Sequence, residues 1–133
     1  MSPELSWLVA SVVLLFVYVL GEATLGNLQY NTKDLLGSRD SLDPPSTTLS
    51  RASRATRNMV EAMIMFVPLI LTAVIAGRTN DMTALGAAIF FWARLAYAPM
   101  YWFGIPVART LAWGISVIGL VLIFLQIIPF SGA

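Results

Sequence analysis

The sequence has no cysteine and no histidine, and only 11% of its 133 residues are charged. Without cysteine there is no disulfide, no thiol nucleophile and no iron–sulfur cluster. The absence carries no information on redox compartment. Without histidine the chain lacks the commonest general base, the usual haem ligand and the makings of most zinc sites. No metal site is expected, and any chemistry has to run on arginine, tyrosine, carboxylates, hydroxyls, backbone or a bound cofactor. So few charges exclude a disordered chain, a coiled coil and a nucleic-acid binder. A net charge of +1 leaves no global field for an acidic partner.

What the chain has instead is apolar surface. Hydrophobic residues make up 58% of it, against about 45–50% in an ordinary soluble domain, and its mean hydropathy is +0.78. A single domain of this size cannot hide that much from water, whereas a bilayer accepts it. A spanning helix needs about 20 mostly apolar residues. Four segments come close: Leu5 to Leu25, Asn58 to Ala76, Met82 to Phe103 and Val107 to Ile128. The expected fold is an all-α membrane protein, four transmembrane helices in an antiparallel bundle, filling residues 1–133 as one domain. The first segment lacks a basic leader and is too long for a simple cleavable signal.

Short polar turns at Gly77 to Asp81 and Gly104 to Pro106 join the last three segments. The long link from Gly26 to Ser50 contains Pro44-Pro45, which forbids helix there. Thr48 or Ser50 is placed to cap the helix that follows, whose amphipathic start is Arg51 to Arg57. Lys33, Arg39, Arg51, Arg54, Arg57 and Arg109 all fall on one side of the membrane, against Arg78 on the other. The positive-inside rule makes the long loop cytoplasmic and puts both termini opposite. Pro68 and Pro99 are expected to kink their helices.

The informative residues are Glu22, Glu61 and Arg94: an ionised group at the centre of a span costs roughly 2.5–3.5 kcal/mol, and these are expected in the half nearer the cytoplasmic face, where the cost is lower. At about 100° per residue, Arg51, Arg54, Asn58 and Glu61 fall within about 80° on the second helix, and Arg94, Tyr97 and Tyr101 within about 60° on the third. Arg109 opens the fourth helix on the same side of the membrane. Plainer readings exist for each residue. The arginines snorkel to lipid phosphates, Arg94 pairs with Glu61 or Glu22, and Tyr97, Tyr101 and Trp102 form an interfacial belt. Two aligned stripes favour a site over these readings taken singly. Clustered guanidinium groups bind carboxylates or phosphates, and Glu61 suits a ligand ammonium. A small zwitterion with more than one carboxylate fits, with the adjoining lipid as source of an apolar co-substrate.

The run Arg51-Ala-Ser-Arg54-Ala-Thr-Arg57-Asn58-Met-Val-Glu61 resembles the R-x-x-R-A-x-x-N-x-x-E signature of the MAPEG superfamily, the membrane-associated proteins in eicosanoid and glutathione metabolism. The segment Ala93-Arg94-Leu95-Ala96-Tyr97-Ala98-Pro99-Met100-Tyr101, with Gly104 and Arg109 after it, is similar to that family's A-R-x-x-Y-x-x-x-Y segment. The length suits a bacterial member, hence an inner-membrane location. The resemblance implies a homotrimer binding glutathione between neighbouring subunits near the cytoplasmic face. Arg54, Asn58, Glu61, Tyr97 and Tyr101 would hold glutathione, Arg109 would stabilise its thiolate, and Arg51 and Arg94 would give support. The implied partners are glutathione or a similar thiol, a lipophilic electrophile or lipid hydroperoxide, and membrane lipids. Where several members carry a tyrosine after the glutamate, this chain has Ala62. The same superfamily contains lipid-presenting members that are not enzymes, so a non-catalytic lipid-binding scaffold is the alternative. A small transporter subunit would also explain the intramembrane charges, but the chain shows no inverted repeat.

Overall fold

The computed structural model describes residues 1–30, 35–37, 44 and 46–128. Among the described residues four long helices follow one another: α1 (Pro3–Gln29), α2 (Thr47–Ile75), α3 (Asp81–Trp102) and α4 (Pro106–Ile127). Lys33 and Arg39, which carry part of the charge asymmetry, lie outside the described residues.

Local chemistry sets the helix ends. Ser2 caps α1 by accepting the Leu5 N–H, and Pro3 occupies the first helical position, where no N–H is needed. α2 is capped by Ser46, which accepts from Leu49, and not by Thr48 or Ser50. The helix therefore starts eleven residues ahead of the apolar segment that begins at Asn58, and Arg51, Arg54 and Arg57 all ride on it. The Gln29 side chain closes the long link: its Nε2 donates to the Pro44 carbonyl at 2.8 Å and its Oε1 accepts from the Ser46 N–H at 2.6 Å. Asn80 and Thr83 form a reciprocal capping box at the start of α3. α4 starts at Pro106 with no side-chain cap at all. Both α2 and α3 run on as helix through Pro68 and Pro99.

Among the described residues, α1, α2 and α4 are long and apolar enough to cross a membrane. α3 falls short of them in composition, because Arg94, Tyr97, Pro99 and Tyr101 interrupt its apolar length. The molecule is an all-α bundle whose outer surface is oily: Val13 and Phe16 on α1, Ile64 and Met65 on α2, and Ile115 and Ile118 on α4 are all exposed. Such a surface belongs in lipid or against protein.

Inside, Phe66 of α2 stacks on Phe90 of α3 with ring centroids 4.0 Å apart. Polar ties register the helices against one another. Thr83 Oγ1 donates to the buried Glu4 carboxylate at 2.7 Å, fixing the start of α1 to the start of α3, where the helix dipole favours an anion. Further along, the Tyr18 hydroxyl donates to the Arg94 carbonyl at 2.6 Å. Thr56 Oγ1 reaches the Tyr18 and Ala52 carbonyls at 3.3 and 3.0 Å, which joins α2 to α1.

α3 and α4 make the closest contact. A Cβ on Gly119 would stand 2.6 Å from the Gly86 carbonyl oxygen, and one on Gly86 would stand 2.7 Å from that of Gly119. The helices meet backbone to backbone there, as small residues allow in membrane bundles. Beyond that point Asn80 Nδ2 donates to Gln126 Oε1 at 2.7 Å. Gly119→Ala is expected to push the pair apart and to lower the melting temperature in detergent, at a cost on the order of 1–3 kcal/mol. Gly114→Ala, where a Cβ meets nothing within 4 Å, is expected to be neutral or to stabilise by up to about 1 kcal/mol. Equal melting of the two variants would show that the contact is not tight.

Candidate functional site

Arg94 is the largest fully buried side chain, only 2% exposed in the middle of an apolar bundle. Its Nη1 donates to Asn58 Oδ1 at 2.6 Å, across from α3 to α2. The partner is thus an amide, where the sequence suggested Glu61 or Glu22. Arg94 Nε is buried without a hydrogen-bond partner. Aromatic faces supply further contact: the guanidinium carbon lies 5.0 Å from the Tyr97 ring centroid and 5.8 Å from that of Phe90. Desolvated contacts of this kind are worth about 2 kcal/mol.

The chain of contacts continues towards the α3–α4 turn. Tyr97 and Tyr101 stand 5.5 Å apart, and the Arg109 guanidinium lies 4.6 Å over the Tyr101 ring. The register explains the alignment, because steps of three and four residues keep Phe90, Arg94, Tyr97 and Tyr101 on one face of α3. Asn58, Tyr97 and Arg109 open together onto one cavity of about 220 Å³, whose remaining wall is Thr110 and Trp113.

The α2 stripe divides. Asn58 and Arg51 lie about 60–80° round the helix from Glu61, on the side of the buried Ala55 and Ala62, whereas Arg54 lies within about 20° of Glu61. Accordingly Asn58 and Arg51 are half-buried, while Arg54 and Glu61 are exposed. Arg54 Nε donates to the Ser50 carbonyl of its own helix, at 3.4 Å. One chain therefore brings Asn58, Arg94, Tyr97, Tyr101 and Arg109 together and leaves Arg54 and Glu61 facing outward. Arg51 packs against Gly104 of the α3–α4 turn. Glu22, on α1, is half-buried, and Ala62 is core.

Three contributors escaped the sequence reading. Thr110 and Trp113 stand one and four residues after Arg109, so helical spacing from that arginine would have found Trp113. Tyr18 carries the one phenol in the middle of α1, and a buried phenol needs an acceptor. Among the described residues no group of three or more acidic side chains is placed to hold a metal ion.

Two apolar grooves flank the cavity helices. One, of about 410 Å³, runs between Ile64, Pro68 and Leu69 of α2 and Val117, Val121 and Phe124 of α4. On α4 it occupies the face that carries Arg109 and Trp113, one to four turns further on. The other, about 540 Å³ and walled by Ala93, Ala96, Ala108 and Ala112, opens on a different face of α3 and α4 and shares no residue with the polar cavity.

Helices of this length and apolarity, closed around a buried guanidinium with a phenol-lined cavity beside it, define a membrane helical bundle with a polar pocket. The chain matches the MAPEG family over residues 6–129, and it belongs to that family. Comparison with curated proteins and with solved structures gives no match.

Asn58→Ala is expected to leave the Arg94 charge buried without its hydrogen bond, at a cost of about 1.5–3 kcal/mol. Asn58→Asp supplies a charged acceptor in nearly the same place, so its thermal melting in detergent is expected to stay close to that of the unchanged protein. Alanine and aspartate variants that melt alike would remove the Arg94–Asn58 bond from the folding argument.

Proposed function

We propose that this protein is a membrane-bound, glutathione-dependent transferase or peroxidase. The observation that carries the reading is the convergence of Asn58, Tyr97 and Arg109 on one small polar cavity, with Tyr101 stacked on the arginine. A guanidinium, an amide and a phenol recognise carboxylates and peptide groups. Membership of the MAPEG family makes glutathione the preferred thiol. In this reading Asn58, Tyr97 and Tyr101 hold glutathione together with Arg54 and Glu61, Arg109 faces its sulfur, and Arg94 supports Asn58 and Tyr97 from beneath.

The chemistry asks little of the protein. A free thiol has a pKa of about 8.5 and is mostly protonated at neutral pH. A poorly solvated guanidinium beside the sulfur favours the thiolate, and a lowering by about two units amounts to about 2.7 kcal/mol. The thiolate attacks an electrophilic carbon to give a thioether, the displaced electron pair leaving on the departing group. Alternatively it attacks a hydroperoxide oxygen, giving a sulfenic acid and an alcohol, and a second thiol then yields disulfide and water. The apolar groove beyond Trp113 supports a lipophilic co-substrate, because it lets a molecule arrive from lipid with its reactive end towards Arg109.

A homotrimer belongs to the same proposal. Arg54 and Glu61 share an outward stripe of α2 with Ile64 and Pro68. A charge turned to lipid is costly, less so near the end of a span than at its centre, and a second copy set against Arg54 and Glu61 removes that cost and adds both residues to a shared site. The proposed setting is a bacterial inner membrane, four spans packed antiparallel, with the long loop cytoplasmic and both termini opposite.

One observation favours a lipid-presenting scaffold instead. Ala62 is packed in the core, so the position after Glu61 offers a ligand nothing. Calorimetry in detergent separates the readings: lipid binding with no glutathione binding supports the scaffold.

Arg109→Ala is expected to lower conjugation of a model electrophile by about a hundredfold or more, the scale for losing one preorganised donor to a developing anion. Glutathione binding and oligomeric size are expected to persist. Undiminished turnover would take Arg109 out of the mechanism.

A further inference from the structure

We infer that Arg51 is a positioning residue: its guanidinium is a plate laid against Gly104 that fixes the α3–α4 turn and, through it, the approach of Arg109 to the cavity. The inference rests on the proposed thiol chemistry.

Gly104 has φ +70, a left-handed conformation that side chains disfavour. Open space does not explain the glycine. A Cβ there would stand 2.6 Å from Arg51 Cζ and 2.8 Å from each of Nη1 and Nη2. The three distances are nearly equal, so the planar group lies flat over the point where a side chain would project. A side chain there would have to push the guanidinium aside, and the left-handed dihedral angle disfavours it further.

The turn under this plate joins two functional side chains. On one side it ends α3: the Gly104 N–H donates to the Tyr101 carbonyl at 3.0 Å and the Ile105 N–H to the Met100 carbonyl at 2.9 Å. On the other side it starts α4, where the Arg109 N–H donates to the Ile105 carbonyl at 3.1 Å. α4 has no side-chain cap, so the start of the helix leans on the turn that precedes it. Tyr101 lies three residues before Gly104 and Arg109 five residues after it, so a shift of the turn separates their stacked pair. Arginine suits the task better than lysine, because only a planar group can cover a glycine face to face.

The test compares four variants of the full chain in lipid nanodiscs: Arg51→Ala, Arg51→Lys, Gly104→Ala and, as a control for charge, the exposed Arg57→Ala. Gly104→Ala keeps the arginine and ejects its plate; Arg51→Lys keeps the charge and loses the plane. The readouts are glutathione affinity, the pH profile of conjugation, and amide hydrogen exchange over residues 103–110. The first three variants are expected to bind glutathione nearly as well as the unchanged protein. Their turnover is expected to fall about tenfold or more, with the midpoint of the pH profile raised by roughly one unit as the thiolate loses its cation. Exchange is expected to quicken over the turn and the first turn of α4, and Arg57→Ala is expected to change none of these. If Gly104→Ala or Arg51→Lys keeps the original pH profile and exchange, the plate is not what positions Arg109. If Arg51→Ala acts only by weakening glutathione binding, Arg51 touches the ligand and the inference is overturned. Variants too unstable to purify do not block the decision, because exchange is also read on Arg51→Lys, the mildest change. An unchanged protein inert towards every thiol overturns the proposed function and the role of Arg51 with it. An active one whose Gly104→Ala variant behaves normally overturns the role of Arg51 alone.

Discussion

A guanidinium buried among apolar helices needs polar or aromatic compensation, because uncompensated charge in such surroundings costs several kcal/mol. Arg94 imposes that demand on this bundle. Its hydrogen bond to Asn58 ties α3 to α2. Its backbone carbonyl takes the Tyr18 hydroxyl and so ties α3 to α1, while its charge lies against the faces of Phe90 and Tyr97. Three helices are thereby set in rotation and depth around one residue. Generic apolar contact between oily helices has no preferred register, and in lipid it has little driving force. The polar contacts of Arg94 supply the register that fixes where Tyr97 and Asn58 face.

The energetics also divide the molecule into two ends. At the Glu4 end, Thr83 joins α1 to α3, and Gly86 meets Gly119 at backbone distance. At the other end the Arg109 guanidinium of α4 lies over the Tyr101 ring of α3, while Trp102 packs against Tyr18 and Gly21 of α1. The backbone contact stands at one end of the α3–α4 pair and the polar cavity at the other. The side chains around the cavity then stand on helices and not on loops, which holds them in place more firmly.

Much of this was legible in the sequence, and the parts that were not share one physical cause. Segment lengths and turn residues announce the helices, because apolar length is a local property. The α3 stripe of Arg94, Tyr97 and Tyr101 was likewise visible, since one helix's periodicity decides which of its residues share a face. The α2 stripe was read as a unit, yet Asn58 turns inward while Arg54 and Glu61 turn outward. Periodicity fixes angles within a helix and leaves open how the helix is rotated against its neighbours. That rotation is set by Arg94 at Asn58, with Phe66 on Phe90 and Thr56 at Tyr18, pairs distant in sequence. The Ser46 cap went unseen for a similar reason. Several hydroxyl residues precede Arg51, and the bridge from Gln29 to Pro44 and Ser46 favours one of them.

The exposed half of the α2 stripe has a consequence for how catalysis and assembly relate. In a soluble protein an exposed Arg54 and Glu61 would need no account, as water solvates both. Here the same helix face continues into Ile64, Met65 and Pro68, and α2 is apolar enough to lie in a bilayer. Lipid cannot solvate the glutamate, and snorkelling serves a short carboxylate side chain less well than it serves arginine. In the proposed trimer a neighbouring copy covers that charge and brings its own cavity or its own stripe to the same boundary. Assembly and ligand binding then stabilise each other, since each places partners beside groups the other leaves exposed. On that logic Glu61 specifies association as much as it recognises a ligand, and the two roles need not be assigned to different residues.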